Sequence, residues 1–102
     1  MQFSIRSEGS SRIAELSGRM TFHDHKEFRD MLGQLIEGGV QSYVFDLAKV
    51  EHVDSSGLGM LLLARDNAEN AGTTNVVLRN SPEAVRHTLR LAKFEELFDI
   101  QD

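Results

Sequence analysis

Along this chain the apolar residues change period repeatedly, and that alternation constrains the fold more tightly than any other feature. Gln2 to Ser7 alternates with Phe3 and Ile5 on one face, as a half-buried strand does. Ser7-Glu8-Gly9-Ser10-Ser11 reads as a turn, with Gly9 free to take a positive φ. Arg12 to Ser17 alternates again, which predicts a hairpin. From Thr21 to Glu37 the period becomes helical, with Phe28, Met31, Leu32, Leu35 and Ile36 on one stripe. Thr21 or Asp24 can cap the first turn of this helix, and Gly38-Gly39 ends it. Ser42 to Leu47 holds Tyr43, Val44 and Phe45 in a row, the pattern of a buried strand. Gly57 to Ala71 reads as a second helix and Asn75 to Leu78 as a short strand. A third helix opens at Ser81-Pro82-Glu83, with Ser81 at the cap and Pro82 at the first helical position. Phe94, Leu97, Phe98 and Ile100 close the core at the C-terminus.

The order β-β-α-β-α-β-α predicts an α/β fold: a small mixed β-sheet with helices packed on it. Strands separated by helices pair in parallel through right-handed crossovers, and the first hairpin supplies the antiparallel element. The 102 residues make one domain, 1–102, without linker or repeat; a monomer is its simplest state. Eleven Lys and Arg are scattered among 16 Asp and Glu, for a net charge of −5. Nucleic-acid binding relies on clustered positive charge, so it is not expected. The absence of Cys excludes disulfides, thiolate metal sites and Cys nucleophiles. The longest apolar run, Gly57 to Ala64, falls far short of the roughly 20 residues that span a bilayer. No secretory signal opens the chain, so a cytoplasmic location without membrane insertion is the default.

Asp54-Ser55-Ser56-Gly57-Leu58-Gly59, followed by Met60-Leu61-Leu62-Leu63, is the informative stretch. It places an acid and two hydroxyls at a helix start, where unpaired N–H groups and about half a positive charge accommodate an anion. The two glycines leave little bulk there, so another backbone can come close. Taken alone, these residues favour a simple helix cap. On the helix that follows, Leu58, Leu61, Leu62 and Ala68 can face the sheet, which leaves Met60 and Leu63 partly outward as candidate contacts.

In its setting of strand, loop and apolar helix, this hexad resembles the signature of the STAS domain family, and more narrowly of bacterial anti-sigma factor antagonists. The element order agrees over nearly the whole chain, including Gly18 after the second strand and the Ser81-Pro82 helix. Where many members carry an acid two or three positions after that glycine, this chain has Arg19-Met20-Thr21-Phe22, and Asp24 comes later. The resemblance implies a regulatory protein that switches partners and is not an enzyme. Its unphosphorylated form would bind a serine kinase, also an anti-sigma factor, of the histidine-kinase-like ATPase superfamily. Phosphorylation at Ser55, the hydroxyl directly after the acid, would release it; Ser56 is the secondary candidate. A PP2C-type phosphatase would reset it. The kinase brings ATP and Mg²⁺, so no cofactor is expected. The partner-binding set is Asp54, Ser55, Ser56, Gly57, Leu58, Gly59, Met60 and Leu63, with Thr21 and Asp24. The alternative within the same family is a subunit that binds a transporter ATPase or other client without a phosphate cycle.

Other signals carry less. His23 and His25 lack a convincing second pair in His52 and His87, so no metal site is expected. Ser55 as a hydrolase nucleophile would need an oriented base and an oxyanion hole, and the chain lacks the G-x-S-x-G elbow. Gly57-Leu58-Gly59 is neither a dinucleotide fingerprint nor a phosphate-binding loop with its Lys.

Overall fold

Gly9, at φ 59°, supplies the positive φ that a two-residue hairpin connection requires. It joins β1 (Gln2–Glu8) to β2 (Ser11–Met20), which pair antiparallel from Gln2 opposite Ser17 to Glu8 opposite Ser11. The computed structural model describes residues 1–101. In it β2 runs past Ser17, and Gly18, at φ 88°, lies inside the strand beside a register shift. That glycine bends the strand as a bulge does and does not end it.

The helix expected from Thr21 divides in two. A 3-10 turn, Phe22–Asp24, leads into α1 (His25–Leu35). The Asp24 carboxylate accepts from both the amide and the hydroxyl of Thr21, at 2.9 and 3.0 Å, which tightens the entry. At the other end Arg12 donates to the carbonyls of Leu35 and Gln34, at 2.9 and 3.0 Å. A cation there satisfies the last carbonyls and complements the helix dipole. The helix therefore stops ahead of Gly38-Gly39, with Ile36 already extended.

β3 (Ser42–Val53) is twice as long as the predicted strand. Beyond Leu47 the strand continues to pair in parallel with β2, with Ser17 opposite Lys49 and Met20 opposite Val53. Val50 and Val53 are buried in the core beneath the helices. The remaining elements are α2 (Ser55–Asn70), β4 (Val76–Arg79), α3 (Glu83–Leu91), a 3-10 turn at Phe94–Glu96 and β5 (Asp99–Gln101). Pro82, not Ser81, holds the cap position of α3. Asn80, at φ 62°, bonds through its amide to the Gln101 carbonyl at 3.1 Å. The chain thereby tucks Ser81 inward, where its hydroxyl is buried without a partner among the described residues.

The sheet order is β1-β2-β3-β4-β5, with β2 to β5 parallel and β1 antiparallel. This is the mixed α/β sheet read from the sequence, extended by a fifth strand. Successive parallel neighbours joined by right-handed crossovers place every helix on one face. Accordingly Phe28 and Met31 of α1, Met60 and Leu61 of α2, and Val85 and Leu89 of α3 share one core with Leu16, Phe45 and Leu78 of the sheet. Phe28 and Phe45 stack with ring centroids 6.3 Å apart. Buried Tyr43 bonds through its hydroxyl to the Glu37 carbonyl and accepts from the Glu37 amide at 3.0 Å, which fixes the chain after α1. On the opposite face Ile13, Val44 and Val77 form a separate row across three strands.

Candidate functional site at the start of α2

Asp54 has extended backbone (φ −99°, ψ −172°), and its carboxylate accepts from the Gly57 amide at 2.9 Å. It is thus the N-cap that the sequence suggests. The Asp54 amide donates to the Met20 carbonyl at 3.4 Å, so the cap is tied to the end of β2. Ser55 is the first residue of α2 and is exposed, while Ser56 is half-buried. Neither hydroxyl has a hydrogen bond among the described residues. The first-turn amides of Ser55 and Ser56 have no carbonyl four residues behind them within the helix. The free Ser55 hydroxyl thus stands at the positive end of a 16-residue helix.

The two glycines of the hexad do different things. A Cβ on Gly57 would lie 2.5 Å from the Met20 carbonyl oxygen and 2.8 Å from Val53 Cγ1. Only glycine lets the first turn of α2 close onto the ends of β2 and β3. A Cβ on Gly59 would meet nothing within 4 Å. Its openness is available to another molecule.

The helix is rotated relative to the sequence reading. Gly57, Met60, Leu61, Ala64 and Ala68 face the core. Met60, expected partly outward, is 0% exposed, and Leu62, expected against the sheet, is 40% exposed. Leu58 and Leu63 are partly buried at the edge of the core. Seating Gly57 against Met20 sets this rotation, and residues three, four and seven positions on must follow it. Met60 therefore supports the site from beneath and offers no contact surface.

Thr21 and Asp24 follow directly on Met20, at the same end of the sheet. Asp24 also accepts from the Met1 ammonium at 2.8 Å. That ammonium, more than the bonds from Thr21, holds the Asp24 carboxyl below its ordinary value of 3.8. A carboxyl with a depressed pKa contributes stability above its unfolded value, and the contribution disappears as pH falls through the folded value. Asp24→Asn is expected to lose about 1–2 kcal/mol near neutrality, in line with a charge-assisted bond and a cap. It should also show a flatter fall in stability below about pH 4 than the parent. Urea midpoints measured across the acid range check this, and parallel curves for the two proteins would refute it.

Phe22, on the turn between Thr21 and Asp24, is 71% exposed. The sequence reading missed it. An aromatic outside any apolar stripe, between two capping residues, was the available signal. The histidines do not gather: among the described residues no group of three His, Asp or Glu is placed to hold a metal ion. No helix among them is long and apolar enough to cross a membrane.

The sequence and the fold have known relatives. The model of the STAS domain matches residues 2–102. A STAS-domain containing protein of Pseudomonas aeruginosa (strain UCBPP-PA14) is 38% identical over 96 residues, 92% of this chain and 91% of that protein. Among solved structures, a Thermotoga maritima protein put forward as an anti-sigma factor antagonist superposes with a TM-score of 0.81 at 19% identity, over 98% of this chain and 86% of that one. The anti-sigma factor antagonist SpoIIAA, in its unphosphorylated form, gives 0.73 at 17% identity over 97% and 87%. This Bacillus protein has also been solved phosphorylated. The STAS domain of a SulP transporter from Vibrio cholerae gives 0.66 at 19% identity over 86% and 70%. With residues 2–102 matched by the family model, the chain belongs to the STAS domain family.

Proposed function

We propose that the protein is a regulatory binding module of the anti-sigma factor antagonist type, switched by phosphorylation at Ser55. The observation that carries this reading is the exposed, unbonded Ser55 hydroxyl at the N-terminus of α2. A kinase can reach it, and the helix end tolerates the added charge. That SpoIIAA shares the fold and exists in phosphorylated and unphosphorylated forms supports the same cycle here. Unphosphorylated, the chain binds a serine kinase that doubles as an anti-sigma factor, of the histidine-kinase-like ATPase superfamily, and so frees the kinase's client. The surface is built from Ser55, Ser56, Leu58, Gly59 and Leu63, with Phe22 beside Thr21. Asp54, Gly57 and Asp24 hold this surface in shape. The kinase supplies ATP and Mg²⁺, a PP2C-type phosphatase removes the phosphate, and the chain itself performs no catalysis. The cycle is cytoplasmic.

The similarity to a transporter's STAS domain favours one second reading, in which the same surface holds a transporter ATPase or other client permanently. Intact mass and peptide mapping of the protein recovered from growing and stressed cells separate the two. The switch predicts a fraction heavier by one phosphate, mapped to Ser55 and lost in Ser55→Ala. Absence of phosphate under every condition would overturn it in favour of a constitutive partner.

A further inference from the structure

Between α1 and α2 runs a groove of about 420 Å³ lined by Arg29, Leu32, Gly33, Ile36, Leu63 and Asn67. Its apolar residues are Leu32 and Ile36 on one side and Leu63 on the other. Gly33 stands in the last turn of α1, exposed, and a Cβ there would meet nothing within 4 Å. No contact among the described residues requires a glycine at that position. On α2, Asn67 lies one turn after Leu63, so these two side chains form the opposite wall. Asn67 donates its amide to the Leu63 carbonyl at 2.8 Å, which leaves its side-chain oxygen as an acceptor.

At Arg29 the groove runs into a second hollow lined by His25, Lys26, Arg29 and Asp30. Lys26 and Arg29 are exposed and form no ion pair or hydrogen bond among the described residues. They stand unpaired on a chain with five more acids than bases, even though Asp30 is four residues from Lys26. An apolar floor, a glycine gap in the α1 wall and unpaired cations at one end match one kind of occupant.

We infer that this groove receives an amphipathic helix of a partner protein. The helix lays its apolar stripe on Leu32, Ile36 and Leu63 and sets acidic residues against Lys26 and Arg29. Helix-in-groove recognition reads such anchors at three- and four-residue spacing. Gly33 lets the incoming backbone approach closely, and the cations select an acidic flank and orient it. The inference does not depend on phosphorylation at Ser55: the groove would serve a permanent partner equally well.

A displayed library of peptides of about 16 residues, long enough to hold a helix, provides the test. Peptides selected on the folded protein are expected to share apolar residues at helical spacing flanked by Asp or Glu. Titrated into isotope-labelled protein, they should shift the amides of Gly33, Leu63 and Asn67. Gly33→Gln, which fills the groove with a good helix former, and Arg29→Glu should each weaken binding about tenfold or more. Both variants should keep the parent's circular dichroism spectrum. Failure to select any peptide, selection without acidic bias, or shifts confined to other surfaces would overturn the inference. So would unchanged affinity in folded Gly33→Gln. Shifts at these residues on concentrating the protein alone would replace the partner helix with a second copy of the chain. The phosphate mapping above is unaffected by any of these results.

Discussion

Gly57→Ala is expected to lower the midpoint of thermal unfolding by about 8–16 °C, whereas Gly59→Ala raises it slightly. The added methyl at residue 57 would come within 2.5 Å of a backbone carbonyl and 2.8 Å of Val53. The carbonyl cannot rotate aside, because Met20 is held in the β2–β3 pairing. Overpacking of this kind costs about 1–3 kcal/mol. The gain in helix propensity from Ala, about 1 kcal/mol in a helix interior, is small in a first turn. A net loss of about 2 kcal/mol corresponds to the stated shift at about 4–8 °C per kcal/mol for a domain of this size. At residue 59 the methyl meets nothing, so only the propensity gain of about 0.5–1 kcal/mol remains. If Gly59 faces the partner, Gly59→Ala will be the more stable protein and the weaker binder. Thermal melts of both variants check the first half. A Gly57→Ala protein as stable as the parent would show that α2 can slide away from Met20.

The second large effect concerns Ser55 and falls on binding. A phosphate there adds about −1.5 to −2 charges. The positive helix end stabilises such charge by about 0.3–1 kcal/mol, up to about 2 in partly buried settings. Repulsion from neighbouring Asp54 opposes that gain. The two nearly cancel, so the fold should keep its melting point to within about 5 °C. A partner closed over the same hydroxyl must desolvate the phosphate, which costs several kcal/mol unless it is paired. Affinity for the kinase captured by the unmodified protein should therefore fall about a hundredfold or more, each 1.4 kcal/mol being tenfold. Calorimetry on the phosphorylated and unmodified proteins, with and without that kinase, measures both quantities. If phosphate melted the fold, or left affinity intact, release by charge at a preserved site would be wrong.

The parts of this architecture legible in the sequence were those set by neighbours in the chain. The hairpin showed in its period of two and its glycine turn. The stripe of α1 showed because its polar face is unbroken by apolar residues. Asp54 was readable as a cap because it acts within three residues of itself. What escaped was set by distant partners. Polar Lys49 and His52 look like a loop until β2 is known to extend to Met20 and pair with them. The orientation of α2 was unreadable because Leu58 to Ala64 is apolar on every side; its seat on Met20 decides that Met60 goes in and Leu62 out. Three residues of β5 are too few to show a period. The hexad marked the start of α2 as the candidate site, while the different surroundings of Gly57 and Gly59 required the packing around each.

The strand order of the sheet is also the order of synthesis. Each strand pairs with the one made just before it, and no strand waits for a later element to be slotted between it and its neighbour. Topologies dominated by nearby partners close smaller loops and fold faster than those that must bring remote segments together. As the chain leaves the ribosome, the β1–β2 hairpin can form first and serve as the template for everything that follows. An edge awaiting its next strand is never exposed for longer than it takes to make one helix and one strand. Growth from one side shortens the interval in which unpaired edges could meet those of another nascent copy.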